Sequence, residues 1–132
     1  MTSGYSGTPL AKKLSLKDGL RVRWEGMPKS VHAEIEAAGL MLEPAEDRID
    51  AAHIFVTART ELEEALARLL PVLARDGQLW VSWPKKASKV PTDITEDVIR
   101  DVALPLGLID VKVCAVDETW SGLKLVIRRE LR

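Results

Sequence analysis

The fold is decided by residues 51–83, which read AAHIFVTARTELEEALARLLPVLARDGQLWVSW. Two short apolar runs, Ala52–Thr57 and Gln78–Trp83, flank a longer segment in which apolar residues recur at helical spacing. Continuous apolar runs of this length are typical of interior strands that are covered on both faces of a sheet. Because parallel strands need a crossover connection, this order of strand, helix and strand predicts a parallel β-α-β unit.

The helix between these strands has the clearest pattern in the chain. Thr60 followed by Glu63 predicts a capping box at its start, and Pro71 is expected to shorten its last turn because proline lacks an amide proton. Glu64 and Arg68 are spaced to form a solvent-exposed ion pair. The residues predicted to share the apolar face are Leu62, Ala65, Leu66, Leu69, Leu70 and Leu73.

The part of the chain before this unit contains two further predicted strands. Residues 1–19 are polar, with a short helix predicted at Pro9–Leu14. A first strand is predicted at Leu20–Trp24, a helix at Pro28–Ala38 and a short strand at Leu40–Leu42. The sequence does not determine where the N-terminal segment docks.

The part after the unit predicts one more helix and a hairpin. The helix is predicted to start after Asp93, with Glu96 completing a box-like cap. The last two strands, Val111–Val116 and Leu123–Arg129, alternate apolar and polar residues, which is typical of a hairpin near a sheet edge. The order β-α-β-β-α-β-α-β-β predicts a single Rossmann-like α/β domain over residues 20–132, mostly parallel with a C-terminal antiparallel hairpin.

Composition places the chain among ordinary globular domains. Its 132 residues suit one domain, and contents of 46% apolar and 30% charged residues are globular values. Nineteen basic and twenty acidic side chains give a formal net charge of −1, which disfavours nucleic-acid binding. The sequence shows no membrane-spanning run and no secretory signal, and its single cysteine favours a reducing compartment. A cytoplasmic location with no membrane partner is expected.

Familiar cofactor, metal and catalytic motifs are missing from the sequence. The turn after the first strand, Glu25–Ser30, has one glycine and lacks the pattern of a dinucleotide site, so no cofactor is expected. We expect S-adenosylmethionine to bind weakly or not at all. His32, His53 and Cys114 are too scattered for a zinc site, so no metal is expected. His53 is predicted to be a core or strand-end group, and Cys114 to be inert packing.

Two loops carry the candidate ligand-binding residues. If the strands before them are parallel to their neighbours, both loops open on the carboxyl edge of the sheet, where open α/β sheets bind ligands. Lys85 and Lys86 beside Trp83 can hold a phosphate or carboxylate against an aromatic wall. The simpler interpretation is a solvated loop in which Trp83 covers the core rim. The full candidate set is Trp83, Lys85, Lys86, Ser88, Asp117, Glu118, Trp120, Lys12 and Lys13.

Two resemblances add to this pattern. The segments Gly4–Leu14, Val81–Lys86 and Asp110–Ser121 resemble a family of small bacterial proteins, domain of unknown function 3052. The stretch Asp76–Pro84 and the closing hairpin Val111–Arg129 look like parts of a class I S-adenosylmethionine methyltransferase. The first resemblance spans nearly the whole chain and implies no activity. The second implies that the final strand lies between the two strands that precede it.

Three functions remain open on the sequence alone. The favoured hypothesis is a non-catalytic ligand-binding or regulatory module that takes a small anionic ligand or a protein partner. The first alternative is an enzyme acting on an anionic or nucleotide-like metabolite, dependent on S-adenosylmethionine if Glu43 holds a ribose. Its cleft is expected to be formed by residues 57–60, 83–93 and 117–122. The second alternative is a nucleic-acid-associated protein that uses the same lysines with Arg21 and Arg23.

Overall fold

The structure, a computed structural model that describes residues 8–132, is a six-stranded sheet with helices on both faces. The helices are α1 (Leu10–Lys13), α2 (Lys29–Glu36), α3 (Arg59–Leu69) and α4 (Glu96–Ala103). The strands are β1 (Arg21–Glu25), β2 (Glu43–Pro44), β3 (Ile49–Phe55), β4 (Leu73–Pro84), β5 (Leu108–Ala115) and β6 (Trp120–Ile127). This mixed architecture confirms the predicted Rossmann-like layered sheet.

The strand order is β2-β1-β3-β4-β6-β5. The first four strands are parallel, as β1 pairs with β2 and β3, and β3 pairs with β4. The last strand, β6, lies antiparallel between β4 and β5. The prediction that the first four strands run parallel, and that the final strand inserts between its two predecessors, is therefore confirmed.

The second strand differs from its predicted position. Residues 40–42 were expected to form it, but the strand is Glu43–Pro44. Met41 is instead bound to the turn that precedes β1. Its amide donates to Asp18 Oδ1 at 2.7 Å, and its carbonyl accepts a hydrogen bond from the Gly19 amide at 2.7 Å. The ladder to β1 begins only where the Glu43 amide donates to the Leu20 carbonyl.

The predicted start of α3 is wrong by two residues. Thr60 and Glu63 do not cap the helix, because the backbone is still extended at Ala58 and helical from Arg59. Glu61 Oε1 instead accepts hydrogen bonds from the amides of Thr57 and Ala58, at 3.0 and 3.1 Å. These amide contacts lower the pKa of the Glu61 carboxyl.

The predicted cap of α4 is also displaced. Thr95 is the capping residue, because its Oγ1 accepts a hydrogen bond from the Val98 amide. Asp93, the predicted cap, accepts a hydrogen bond from the Arg59 amide at 2.7 Å and so serves α3 instead. The first two helices begin one residue later than predicted, because Pro9 and Pro28 are extended and precede them.

The sheet separates two apolar cores, as expected for strands buried on both faces. One core packs α3 and α4 against the sheet, and its centre includes Leu66, Leu79 and Leu125. The other packs α1 and α2 against the opposite face, and it contains three of the four tryptophans: Trp24, Trp80 and Trp120. Among residues 8–132, no helix is long and apolar enough to cross a membrane.

The N-terminal segment crosses the α1/α2 face of the sheet. Trp80 Nε1 and Gln78 Nε2 both donate to the Leu14 carbonyl, at 3.1 and 3.0 Å. Lys112 Nζ donates to the Lys13 carbonyl at 2.9 Å, and Leu14 is fully buried. Residues 10–16 therefore supply the cover that β4, β5 and β6 need on this face.

His53 lies in the centre of the same face and is fully buried. Its Nε2 is 2.7 Å from Ser82 Oγ, its ring stacks on Phe55 at 4.5 Å between centroids, and its Nδ1 has no partner among the described residues. Burial without an opposite charge lowers the pKa of His53 to about 3. The prediction of a core histidine is confirmed, although only one ring nitrogen is hydrogen-bonded.

We expect Gly26→Ala to destabilise the fold more than Gly39→Ala. Both glycines have left-handed φ values, +69° and +70°, but only a Cβ on Gly26 would lie 3.0 Å from a backbone atom, the Phe55 carbonyl oxygen. Both substitutions carry the cost of a left-handed alanine, and Gly26→Ala adds the contact. The free energy of unfolding from urea titration should fall by at least about 1 kcal/mol more for Gly26→Ala. Equal losses of unfolding free energy in the two variants would show that the contact with the Phe55 carbonyl oxygen adds no cost.

The buried histidine should make the fold acid-sensitive. Burial lowers the pKa of His53 in the folded state, so the unfolded chain binds a proton first as the pH falls below about 6.5. The free energy of unfolding therefore decreases between that pH and the folded-state pKa of about 3. Between about pH 7.5 and about pH 5, the wild-type free energy of unfolding should fall by about 2 kcal/mol more than that of His53→Gln. Both proteins retain His32, so the difference between them isolates His53. Parallel pH profiles would contradict the assigned burial.

Candidate binding site at the carboxyl edge of the sheet

The structure places the two candidate loops side by side. The last residue of β4, Pro84, lies opposite the first residue of β6, Trp120. The Lys85 amide then donates to the Thr119 carbonyl at 2.7 Å. Both loops therefore lie at the carboxyl edge of the parallel strands, joined by a direct backbone hydrogen bond.

The two candidate tryptophans lie on opposite faces of the sheet. Directly opposed residues of an antiparallel pair share a face, and Trp120 opposes Pro84 rather than Trp83. Trp83 is 8% exposed and packs in the α3/α4 core, whereas Trp120 packs edge-on against Phe55 in the α1/α2 core, 5.1 Å between ring centroids. The two rings do not form a single aromatic wall. Trp83 covers the core rim, as in the simpler interpretation.

Two of the candidate polar residues shape the loops that carry them. Asp117 Oδ1 accepts hydrogen bonds from the amides of Thr119 and Trp120, both at 2.8 Å. Ser88 Oγ donates to the Lys85 carbonyl at 2.6 Å and accepts from the Val90 amide at 3.3 Å. Side-chain bonds of this kind define Asx and ST turns, so both groups have a structural role.

Lys85, Lys86 and Glu118 are the candidate charges that remain open to solvent. Lys86 and Glu118 are exposed, and Lys85 is partly exposed. None of the three side chains forms a salt bridge or hydrogen bond with another residue between 8 and 132. The lysines are carried on a short 3-10 turn, Lys86–Ser88, that ends at Lys89 in a left-handed conformation.

The remaining candidates, Lys12 and Lys13, lie on α1. Lys13 Nζ donates to the Ala115 carbonyl at the end of β5, which is two residues before Asp117. Lys12 is exposed. The N-terminal segment therefore brings Lys13 close to the carboxyl edge by crossing the α1/α2 face.

The cleft expected from residues 57–60, 83–93 and 117–122 is bridged by hydrogen bonds between its own loops. Thr92 Oγ1 donates to the Thr57 carbonyl at 2.6 Å, and Asp93 Oδ1 holds the Arg59 amide. Together with the Lys85–Thr119 bond, these contacts tie the three segments to one another. The Arg59 and Lys85 amides and the Thr57 and Thr119 carbonyls are therefore paired within the protein.

The first βα turn offers a poor fit for a nucleotide cofactor. The carboxylate of Glu25 is held by both terminal nitrogens of Arg68, at 2.7 Å each, and these contacts lower its pKa. Gly26 is the only glycine of the turn, and it packs against the Phe55 carbonyl. Glu43, the candidate ribose ligand, is exposed and lies 3.6 Å from Arg21. These residues do not form the open glycine-lined cradle that S-adenosylmethionine or a dinucleotide requires.

The contact between Arg68 and Glu25 was missed by sequence reasoning, which paired Arg68 with Glu64 alone. That local pair is present at 2.9 Å, and the same guanidinium also binds Glu25, 43 residues earlier. Long-range pairs leave no periodic signal in the sequence.

Cys114 fits its predicted role, since it is half-buried and desolvation raises the pKa of its thiol. Residues 8–132 contain no group of three potential metal-ligating side chains.

The chain shares its fold with methyltransferases of known structure. It matches an S-adenosylmethionine-dependent methyltransferase from Aquifex aeolicus with a TM-score of 0.62 and 16% identity, covering 94% of this chain and 91% of that one. It matches the ribosomal protein L11 methylase of Lactobacillus delbrueckii subsp. bulgaricus with a TM-score of 0.56 and 13% identity, covering 91% and 76%. A fibrillarin pre-rRNA processing protein of Methanococcus jannaschii gives 0.53 and 8%, covering 92% and 69%.

The structural matches show the fold, and sequence identities of 8–16% carry no activity over to this chain. No curated protein matches the chain. The family model described as "Protein of unknown function (DUF3052)" matches residues 12–129, which is most of the sequence. The chain therefore belongs to the DUF3052 family, and its fold is methyltransferase-like.

Proposed function

We propose that this protein is a non-catalytic binding or regulatory module that recognises an anionic group through the loop carrying Lys85 and Lys86. The observation that carries the proposal is the division of charged groups at the carboxyl edge. Most acidic side chains there accept hydrogen bonds from backbone amides, whereas the side chains of Lys85 and Lys86 have no protein partner among the described residues.

The hydrogen bonds of Glu61, Asp93 and Asp117 argue against acid–base catalysis by these three groups. A general acid or base must reach a substrate, with a pKa near the working pH. Glu61, Asp93 and Asp117 each accept hydrogen bonds from backbone amides, and Glu25 is bound by Arg68. His53 is enclosed in the core with a pKa of about 3. These groups are suited to holding the fold rather than to moving protons.

The loop with Lys85 and Lys86 is suited to binding because its backbone is pre-ordered. The Lys85 amide is fixed on Thr119, and the Lys85 carbonyl is fixed by Ser88 Oγ. A fixed backbone lowers the entropy that is lost when a partner binds. Lys89 follows on the same turn, so three ammonium groups lie within five residues. Clustered ammonium groups attract phosphates and carboxylates.

The first alternative, an enzyme acting on an anionic or nucleotide-like metabolite with S-adenosylmethionine, is favoured by the methyltransferase fold alone. The two proposals differ in what binds. Calorimetry that shows micromolar S-adenosylmethionine binding, lost in Gly26→Ala or Glu43→Gln, would favour the enzyme. Binding of an anion that depends on Lys85 and Lys86 would favour the module.

Reversal of both lysine charges tests the proposal directly. Pyrophosphate, ATP and an oligo-glutamate peptide serve as probes in a thermal-shift and calorimetric screen. We expect at least one to bind the wild type, and Lys85→Glu with Lys86→Glu to weaken that binding by at least about tenfold, because two attractive charges become repulsive. The free energy of unfolding should change by less than about 0.5 kcal/mol, since exposed charges contribute little to folding.

Arg48→Glu with Arg129→Glu is the matched control. Both arginines are exposed, neither side chain has a partner among the described residues, and the change in formal charge is the same. If this control weakens binding as much as the lysine pair, net charge explains the effect and the site is wrong. The site is also wrong if the lysine variant unfolds or binds like the wild type.

A further inference from the structure

A polar cavity lies at the edge of the sheet opposite the candidate loops, where the parallel strands begin. It has a volume of about 270 Å³ and sits where the N-terminal segment passes the first residues of β3 and β4 and the end of β6. Its polar lining consists of Ser15, Lys17, Asp50, Asp76, Gln78 and Lys124. The cavity shares no residue with the candidate loops at the carboxyl edge.

Ammonium and carboxylate groups line this cavity without pairing with each other. No salt bridge joins Lys17 or Lys124 to Asp50 or Asp76 in the part of the chain that the structure describes. Asp50 Oδ2 accepts from the Arg21 amide at 2.8 Å, and Lys124 Nζ has only a long contact to Ser15 Oγ at 3.4 Å. Opposite charges that face one cavity and stay apart leave both signs available to a ligand.

A backbone irregularity brings Asp50 and Asp76 to the same cavity. The register of β3 with β4 jumps from Ile49–Leu73 to Ala51–Gln78, so residues 74–77 bulge out of the ladder and carry Asp76 beside Asp50. The bulge packs closely, because a Cβ on Gly77 would lie 3.1 Å from the Asp50 carbonyl oxygen and 2.9 Å from that of Ala74. Bulges are over-represented next to active sites, where they re-aim side chains.

The positive side of the cavity is equally constrained. Ser15 has a left-handed φ of 59°, which is strained for a residue other than glycine and places it against Lys124 and Gln78. Lys124 lies opposite Trp80 on a rigid strand. Burial, together with the nearby charges of Lys112 and Lys17, lowers the pKa of Lys124, so its positive charge is not compensated by the protein.

We propose that this cavity binds a small zwitterion of amino-acid size, with its carboxylate at Lys17 and Lys124 and its ammonium group at Asp50 and Asp76. Lys17 and Lys124 are the positive wall of the cavity, and Asp50 and Asp76 are the negative wall. A molecule with a single charge would pair with one wall and leave the other unpaired. The Gln78 side chain also lines the cavity, and its amide nitrogen donates to the Leu14 carbonyl. A volume of about 270 Å³ suits a compact metabolite rather than a nucleotide.

The test uses zwitterions of increasing length as probes: glycine, β-alanine, γ-aminobutyrate and ε-aminocaproate, with butyrate and butylamine as single-charge controls. Binding is followed by NMR at the side-chain amide of Gln78 and at the backbone amides of the bulge. We expect one length to bind best, and both single-charge analogues to bind at least about tenfold more weakly, because each leaves one wall unsatisfied.

Substitutions on each wall locate the site. Lys124→Met and Asp76→Asn should each weaken the preferred zwitterion by at least about tenfold. Asp76 is exposed, so its variant remains folded even if Lys124→Met does not. Lys29→Met with Glu34→Gln removes one charge of each sign on exposed residues of α2 that do not line the cavity, and it should leave the affinity unchanged. This pair is the matched control.

Three results would overturn the proposal. The first is no perturbation of Gln78 by any of the four zwitterions at millimolar concentration. The second is butyrate binding as tightly as the best zwitterion, which would mark a site for anions only. The third is unchanged affinity in both wall variants, which would place the bound probe elsewhere. Because neither wall includes Lys85 or Lys86, failure here leaves the proposed function standing.

Discussion

Hydrogen bonds that backbone amides donate to side-chain carboxylates hold the carboxyl edge of this sheet together. Glu61 binds the amides before α3, Asp93 binds the first amide of α3, and Asp117 binds two amides of the β5–β6 turn. Each bond satisfies a backbone group that would otherwise face the edge unpaired. In a ligand-binding α/β sheet these are the groups that contact the ligand. Here carboxylates of the protein itself occupy these amides, which are therefore not available to a ligand.

Burial of the sheet on both faces imposes a second constraint. The strands β3 and β4 are apolar on both sides, so the face over β4, β5 and β6 needs cover that α2 alone does not supply. The N-terminal segment supplies it through Leu10, Leu14 and Leu16, and the Leu14 carbonyl is fixed by Trp80 and Gln78. The path of this segment then brings Lys13 to one edge of the sheet and Ser15 and Lys17 to the other.

The sequence predicted what depends on local periodicity. Apolar runs and helical spacing located the four helices and every strand except β2, and the crossover rule predicted the parallel order. The capping residues of α3 and α4 were misassigned, because Thr60–Glu63 and Asp93–Glu96 fit the pattern while the chain enters the helices elsewhere. The contacts of Asp93 with Arg59 and of Arg68 with Glu25 span 34 and 43 residues, so no short-range pattern reveals them. The opposite faces of Trp83 and Trp120 follow from strand register, which the sequence left open.

The central claim is that Glu61, Asp93 and Asp117 at the carboxyl edge are structural and that the side chains of Lys85 and Lys86 are free. The most direct measurement is the free energy of unfolding of Asp117→Ala compared with Lys85→Ala, by urea titration at neutral pH. Loss of the two amide hydrogen bonds of Asp117 should cost about 1–3 kcal/mol, whereas Lys85→Ala should change stability by less than about 0.5 kcal/mol. If Asp117→Ala is as stable as the wild type, that carboxylate is available for chemistry, and the non-catalytic account is contradicted.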